Sequence, residues 1–194
     1  MDLDPATQPT PEQEKSKEPD NARKFTTGPL SAEFLEEHGA IPFLLITDWT
    51  DWTETETGED DETKVVYKKF LDDDVVEIFY ISKTTDKDGN RDKQKEEITA
   101  DNEKYEKLKD SSKRHVEKVR HEFTFTQNGI LFVMNYDEFA GGTLFMLDVD
   151  AKSKDKEERD SFNPKEFPSK DFTVELVEVS DDPQYSGHRL AEIL

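Results

Sequence analysis

The chain is expected to be an α+β protein built on an antiparallel β-sheet, closed as a barrel or stacked as a sandwich. Three observations predict this. About seven or eight short stretches alternate apolar and polar residues with a period of two. Most of them are joined by turn-formers such as Asn128-Gly129, Gly141-Gly142 and Asp88-Gly89-Asn90. The helical patterns are few, short and thinly apolar, which suits elements lying outside a sheet.

Residues 1–20 are rich in Pro, Glu, Gln and Thr and almost lack large apolar side chains, so a disordered or extended tail is expected there, ahead of one domain over 21–194. Arg23-Lys24-Phe25 opens a strand. Ser31 can cap a short helix, SAEFLEEHG, with Glu33 in its first turn, His38 closing it and Gly39 just past its end. Residues 41–46 form a compact apolar strand, and Trp49 and Trp52 follow. Residues 53–63, TETETGEDDET, hold no cation and read as a solvated loop; their spacing matches no Ca²⁺ loop. Residues 64–70 and 75–83 read as a hairpin around Leu71-Asp72-Asp73-Asp74, with Glu77, Phe79, Ile81 and Lys83 on one face of the second strand. A turn at 87–90 leads into a strand with Arg91, Lys93, Lys95 and Glu97 on one side. Thr99 can cap a helix over 100–113, whose apolar stripe is only Tyr105 and Leu108.

The chain is organised around residues 115–150. A strand over 116–126 sends Val116, Lys118, Arg120, Glu122 and Thr124 one way and Val119, His121, Phe123 and Phe125 the other. Residues 130–139 return, and 144–151 form a third strand, with Asp148 and Asp150 on one face and Leu147 and Val149 on the opposite face. Two readings of the charged face stand open. It is a solvated face with cross-strand charge pairs, each worth roughly 0.2–1 kcal/mol. Or it is the inside of a barrel that holds a polyanion and its metal. Beyond it, Ser153 opens a second charged helix that ends before Pro164, residues 172–179 are extended, and Ser186 caps a final helix with Leu190, Ile193 and Leu194 for docking.

The formal net charge is −21, from 47 acidic and 26 basic residues. That argues against a nucleic-acid surface, because phosphate would be repelled overall, but a local cluster of cations can still dominate a concave site. Without cysteine there is no disulfide framework and no thiolate metal site. No apolar run approaches the ~20 residues of a membrane span, and the N-terminal residues lack a signal-peptide layout. A cytoplasmic location is expected. There is no Gly-rich phosphate loop and no G-x-S-x-G. His38, His115, His121 and His188 show no paired ligand spacing, and His121 reads as a packed core residue.

The tail EVSDDPQYSGHRLAEIL resembles the closing segment of the CYTH domain, or triphosphate tunnel metalloenzyme, family. Other pieces fall in that family's order. Tyr80-Ile81-Ser82-Lys83 is similar to its Y-x-x-K strand, and Arg91 with Glu97-Ile98 to its R-x-E-x-E-x-E-I strand. Lys118-Val119-Arg120 resembles K-x-R, Asp137-Glu138-Phe139 resembles D-x-Y/F, and Leu147-Asp148-Val149-Asp150 resembles E-V-E. The resemblance implies an eight-stranded antiparallel tunnel that grips a triphosphate and holds Mg²⁺ or Mn²⁺ at one end. It also implies a monomer or homodimer and a triphosphatase activity on tripolyphosphate or a nucleoside or thiamine triphosphate, with class IV adenylate cyclases among the relatives. Phosphoryl transfer suits such a site, since it needs positioning and charge neutralisation more than covalent help.

Carried onto this sequence, the resemblance makes Lys24, Lys64, Lys68, Lys83, Arg91, Lys93, Lys95, Lys118 and Arg120 the phosphate-binding residues. It makes Asp148 and Asp150 the metal ligands, and Asp137 and Asp20 the acids that assist catalysis. The departures matter. Where the family's first strand carries E-x-E-x-K-F, this chain has Asp20, Ala22 and Lys24-Phe25. Lys93 and Lys95 replace two inner acids, and Asp148 and Asp150 are each one methylene shorter than Glu. These changes weaken metal binding and favour polyanion binding. Three functions follow: metal-dependent hydrolysis of a triphosphate, a non-catalytic polyphosphate- or nucleotide-binding module with an eroded metal site, or an interaction domain whose tunnel is vestigial and whose acidic surface recruits a basic partner.

Overall fold

A computed structural model describes residues 22–53, 61–86, 91–167, 174–186 and 189–191. Nine strands are found among them: β1 (Arg23–Thr27), β2 (Ile41–Thr53), β3 (Asp61–Phe70), β4 (Val76–Thr85), β5 (Arg91–Ile98), β6 (Arg114–Gln127), β7 (Ile130–Phe139), β8 (Phe145–Ala151) and β9 (Val177–Glu178). Three helices accompany them: α1 (Ala32–Glu37), α2 (Glu103–Asp110) and α3 (Lys156–Asp160). No helix among the described residues is long and apolar enough to cross a membrane.

The strands form one antiparallel sheet in the order β5-β4-β3-β2-β6-β7-β8-β1-β9. The sheet is not closed into a barrel, and the expectation of an eight-stranded tunnel is corrected accordingly. The free edge of β1 that would receive β5 is already bonded. Phe25 and Thr26 pair with Glu178 and Val177 of β9. The Val179 N–H donates to the Lys24 carbonyl at 2.8 Å, and the Lys24 N–H donates to Ser180 Oγ at 3.0 Å. The Arg23 guanidinium clamps Glu178 with two bonds of 2.8 Å. At the opposite end, β5 has one edge without a strand partner among the described residues, and its sequence RDKQKEEI is the charged kind that blunts edge-to-edge association.

Alternation assigns the two faces of the sheet. Outward-facing Phe25, Phe123, Phe132, Met134, Tyr136, Leu147 and Val149 are buried under α1 and the segment carrying Phe162 and Phe167. Rings meet edge to face there, as between Phe34 and Phe123 at 5.9 Å and Phe132 and Phe162 at 5.3 Å. Each fully buried side chain of this size contributes roughly 1.5–3 kcal/mol. Farther along the sheet, Tyr105 and Leu108 of α2 cover Val65 and Ile98, so the thin stripe of α2 does pack on the outside.

Local signals behave as their chemistry dictates. Ser31 Oγ accepts from the Phe34 N–H at 3.1 Å, and Gly39 takes φ +61° past the end of α1. Asn128 and Gly129 both have positive φ, which matches the right-handed twist of the β6–β7 hairpin. Two helix starts differ from expectation. Thr99 does not cap α2; its hydroxyl donates to Asp101 and the helix begins at Glu103. The cap of α3 is Asp155, which accepts from the Glu158 N–H at 2.9 Å, while Ser153 Oγ sits outside it and accepts from the Asp155 N–H. The supposed loop over 53–63 begins in β2 and ends in β3; residues 54–60, the turn at 87–90 and the tail over 1–20 lie outside the described residues.

Candidate functional site

The inward face of the sheet lines a cavity of about 410 Å³, within the ~300–1,000 Å³ range of small-molecule sites. Lys24 of β1 and Lys95 of β5 both line it, so the sheet curls until its two arms face one space. Around Lys118, Arg120 and Asp148 the charged face of the central strands is therefore an interior surface, while Glu122 and Thr124 farther along β6 are exposed. Six cations border the cavity: Lys24, Lys64, Lys68, Lys95, Lys118 and Arg120. Three carboxylates join them, Glu77, Asp137 and Asp148. Aromatic rings lie beneath several of the cations. Lys68 Nζ is 4.4 Å from the Phe43 ring centre, Lys95 Nζ is 4.0 Å from Phe79, and Lys118 Nζ is 5.2 Å from Phe139. One end is closed by Leu190, packed on Trp49, Val116, Phe139 and Met146.

Asp137 organises the β6–β7–β8 wall. It stands opposite Arg120 in register and is only 2% exposed. Arg120 donates to it through Nε at 2.6 Å and Nη2 at 2.7 Å, and Lys118 Nζ donates at 2.5 Å. Burial alone would raise the Asp137 carboxyl, but Lys118 and Arg120 outweigh it and hold the group below its ordinary range. Burial pushes the Lys118 ammonium down, with Asp137 partly restoring it. Arg120 is raised: its carboxylate neighbours, Asp137 first, outweigh the cost of burial. Asp148 is 3.5 Å from Arg120 Nη2 and is pushed up, first by burial and then by the Asp137 charge. The two acids of this wall are thus pushed in opposite directions, Asp137 down by the cations bonded to it and Asp148 up by burial and by the Asp137 charge.

A second cluster gathers on Glu62. Its Oε1 is 2.7 Å from Lys64 Nζ and 3.0 Å from Lys83 Nζ, and its Oε2 accepts from the Trp49 indole at 2.9 Å. Burial opposes its ionisation, but Lys64 and Lys83 bring the carboxyl down to about 2. Sequence reasoning missed Glu62 by placing it in a solvated loop. The signal was available, because Glu62, Lys64, Val66 and Lys68 alternate in one unbroken register.

The remaining expected residues scatter. Lys83 belongs to the Glu62 cluster, and Lys93 pairs with it across β4 and β5 on the exposed edge strand. Arg91 faces Thr85 in the ladder, and its side chain lies outside the described residues, as does Asp20. Asp150 does not line the cavity; its carboxylate is 2.5 Å from Lys154 Nζ. His121 is half-buried, 3.0 Å from Glu138 and beside the Tyr136 ring.

These contacts test the site for a divalent cation. Such an ion takes about six oxygen ligands from deprotonated carboxylates, carbonyls and water. Asp148 is 3.5 Å from Arg120 Nη2, Asp150 is paired with Lys154, and Asp137 is saturated by Lys118 and Arg120. Among the described residues, no three His, Cys, Asp or Glu side chains come together to share a metal. As arranged, the donor set does not fit Mg²⁺ or Mn²⁺.

No family model and no curated protein matches the chain. Solved structures similar to it include two archaeal proteins. One is the PH1819 protein of Pyrococcus horikoshii OT3, with a TM-score of 0.42 and 19% identity over 71% of this chain and 82% of that one. The other is the PH1012 protein of the same organism, with a TM-score of 0.38 and 13% identity over 72% of this chain and 83% of that one. Likeness at this level leaves function to the chemistry of the cavity.

Proposed function

We propose that the protein binds a polyphosphate-type anion in the curled, open sheet, as a divergent relative of the triphosphate tunnel family, and that it does so without needing a metal ion. One observation carries this reading. A chain of net charge −21 gathers six cations around a single cavity and admits only three carboxylates there. Low-dielectric walls concentrate that local field, so an anion is drawn in despite the acidic exterior. All three carboxylates already face cations: Asp137 holds Lys118 and Arg120, Glu77 lies 3.4 Å from Lys68, and Asp148 lies 3.5 Å from Arg120. An arriving phosphate would compete for donors that are in place and oriented, which favours tight binding over reorganisation.

Calorimetric titration of tripolyphosphate, with and without Mg²⁺, tests the reading. Saturating heat that is indifferent to Mg²⁺ is expected, weakened by salt and by Lys118→Ala. Absence of heat under both conditions refutes it. Sustained heat that requires Mg²⁺ would replace it with the second reading, hydrolysis of a triphosphate. The pairing of Asp137 and Asp148 in one cavity favours that second reading, since an anion that drew off Lys118 and Arg120 would leave two carboxylates side by side.

A further inference from the structure

Among the described residues, the exposed large apolar side chains are Ile41, Leu71, Val75, Val76 and Val177. All but Val177 gather at one end of the sheet. Ile41 opens β2, Leu71 follows the end of β3, and Val75 and Val76 lead into β4. Backbone bonds lace these ends together. The Leu71 N–H donates to the Pro42 carbonyl and the Phe70 N–H to the Val75 carbonyl, each at 3.1 Å. The intervening turn is pinned too, since Asp73 accepts from the Val75 N–H at 3.0 Å and Lys69 lies 3.5 Å from Asp74. The four side chains are each 42–50% exposed, so the patch is a fixed surface that folding leaves open. Single exposed apolar residues are ordinary, but a cluster with a polar rim marks a contact surface. Here the rim is acidic. Asp72, Asp73 and Asp74 are exposed between Leu71 and Val75, Glu122 is exposed opposite Ile41 in register, and Glu36 and Glu37 are exposed at the end of α1. None of the four apolar side chains lines the cation-rich cavity.

We infer that this end of the sheet docks a basic amphipathic helix of a partner protein. Its apolar residues lie on Ile41, Leu71, Val75 and Val76, and its Lys or Arg residues meet the acidic rim. Charge complementarity selects that occupant. A second copy of a chain of net charge −21 would bring the same carboxylates face to face. An added strand does not suit the patch either, because the N–H groups of Phe70, Leu71 and Val75 are already bonded. Recognition therefore falls to side chains, which is how an amphipathic helix binds. The surface is separate from the cavity, so the inference stands or falls independently of anion binding.

The test measures fluorescence anisotropy of labelled peptides of about 18 residues, five helical turns, titrated with the full chain. One peptide carries a leucine stripe and a lysine face. A second has the same lysines with alanine in place of leucine, and a third has the leucines with glutamate in place of lysine. The leucine–lysine peptide is expected to bind at least about tenfold more tightly than the alanine–lysine peptide, and the leucine–glutamate peptide is expected not to bind. Ile41→Ser together with Val75→Ser should abolish that tenfold advantage while leaving the melting temperature unchanged, since both side chains are already half exposed. Asp72→Asn with Asp74→Asn should weaken binding and flatten its salt dependence. Equal affinity for the two lysine peptides overturns the inference, because net charge alone would then account for binding. An advantage that survives Ile41→Ser with Val75→Ser also overturns it, by placing the contact elsewhere. Sedimentation showing a wild-type dimer that these two substitutions dissociate would overturn it in favour of a second copy. The comparison of peptides on the unaltered protein decides the matter even if a variant folds poorly.

Discussion

Replacing Asp137 with Asn should lower stability and raise anion affinity in the same molecule. The side chain is 2% exposed and accepts three bonds, at 2.5, 2.6 and 2.7 Å, from Lys118 and Arg120. Asn keeps the shape but loses the charge, leaving the two cations with Asp148 and, for Arg120, the more distant Glu122. Breaking a buried pair on one side costs about 3–5 kcal/mol. For a domain of this size each kcal/mol shifts the melting temperature by about 2–4 °C, so a fall on the order of 10 °C is expected at pH 7. The acid side of the profile carries a sign. Asp137 is depressed in the folded state, so its stabilisation is present above the unfolded value of about 3.9 and is lost as pH falls through the folded value. Wild type and Asp137→Asn should therefore converge in strong acid. The cations released in the variant should bind tripolyphosphate more tightly, and saturating ligand should recover about 2.7 kcal/mol at a hundredfold excess over Kd. Thermal melts from pH 2 to 8, with and without tripolyphosphate, measure all of this. A variant that melts within about 2 °C of wild type at pH 7, or gains no affinity, would refute the assignment of Asp137 as the internal counter-ion.

Three further outcomes follow from single contacts. Glu62 moves from 4.5 to about 2 on folding, which corresponds to roughly 3 kcal/mol of stability held above pH 5 and lost as pH falls toward 2; Glu62→Gln should remove that limb from an acid titration of stability. Tyr136 accepts the Leu30 N–H at 3.1 Å in the core, so Tyr136→Phe leaves a buried donor unpaired and should cost about 1–3 kcal/mol by urea unfolding. Gly129 has φ +81° in the β6–β7 turn, and Gly129→Val should destabilise by about 1–2 kcal/mol in the same measurement, whereas Gly28→Ala, with open space around it, should not.

The facing of residues along a strand is a local property, and it could be read before any tertiary contact. Lys118 and Arg120 had to share a face, and Val119 and Phe123 had to take the opposite one, because successive side chains alternate in an extended backbone. The Asn128-Gly129 turn and the Ser31 cap were legible for the same reason. Trp49 and Trp52 were not. They are an odd interval apart, yet both join the cluster around Leu190, because the ladder shifts by one residue between Trp49 and Asp51. A β-bulge reverses the alternation, and nothing in the composition of that stretch announces it. Nor does a sequence reveal that Asp150 turns to Lys154 while Asp148, two residues earlier, stays inside.

The amino-acid sequence by itself determined the antiparallel strands, their inward and outward faces, and a set of cations confined to one of those faces. Backbone periodicity needs only near neighbours, so these follow from the order of residues. Tertiary structure alone decided that the charged face encloses a cavity, that its carboxylates are spent on its own cations, and that the sheet stays open. Each depends on segments far apart in the chain. The open seam is the clearest case: the edge of β1 is capped by two residues of β9, Val177 and Glu178, about 150 positions away, and hydrogen bonds already made on an edge are not available to another strand.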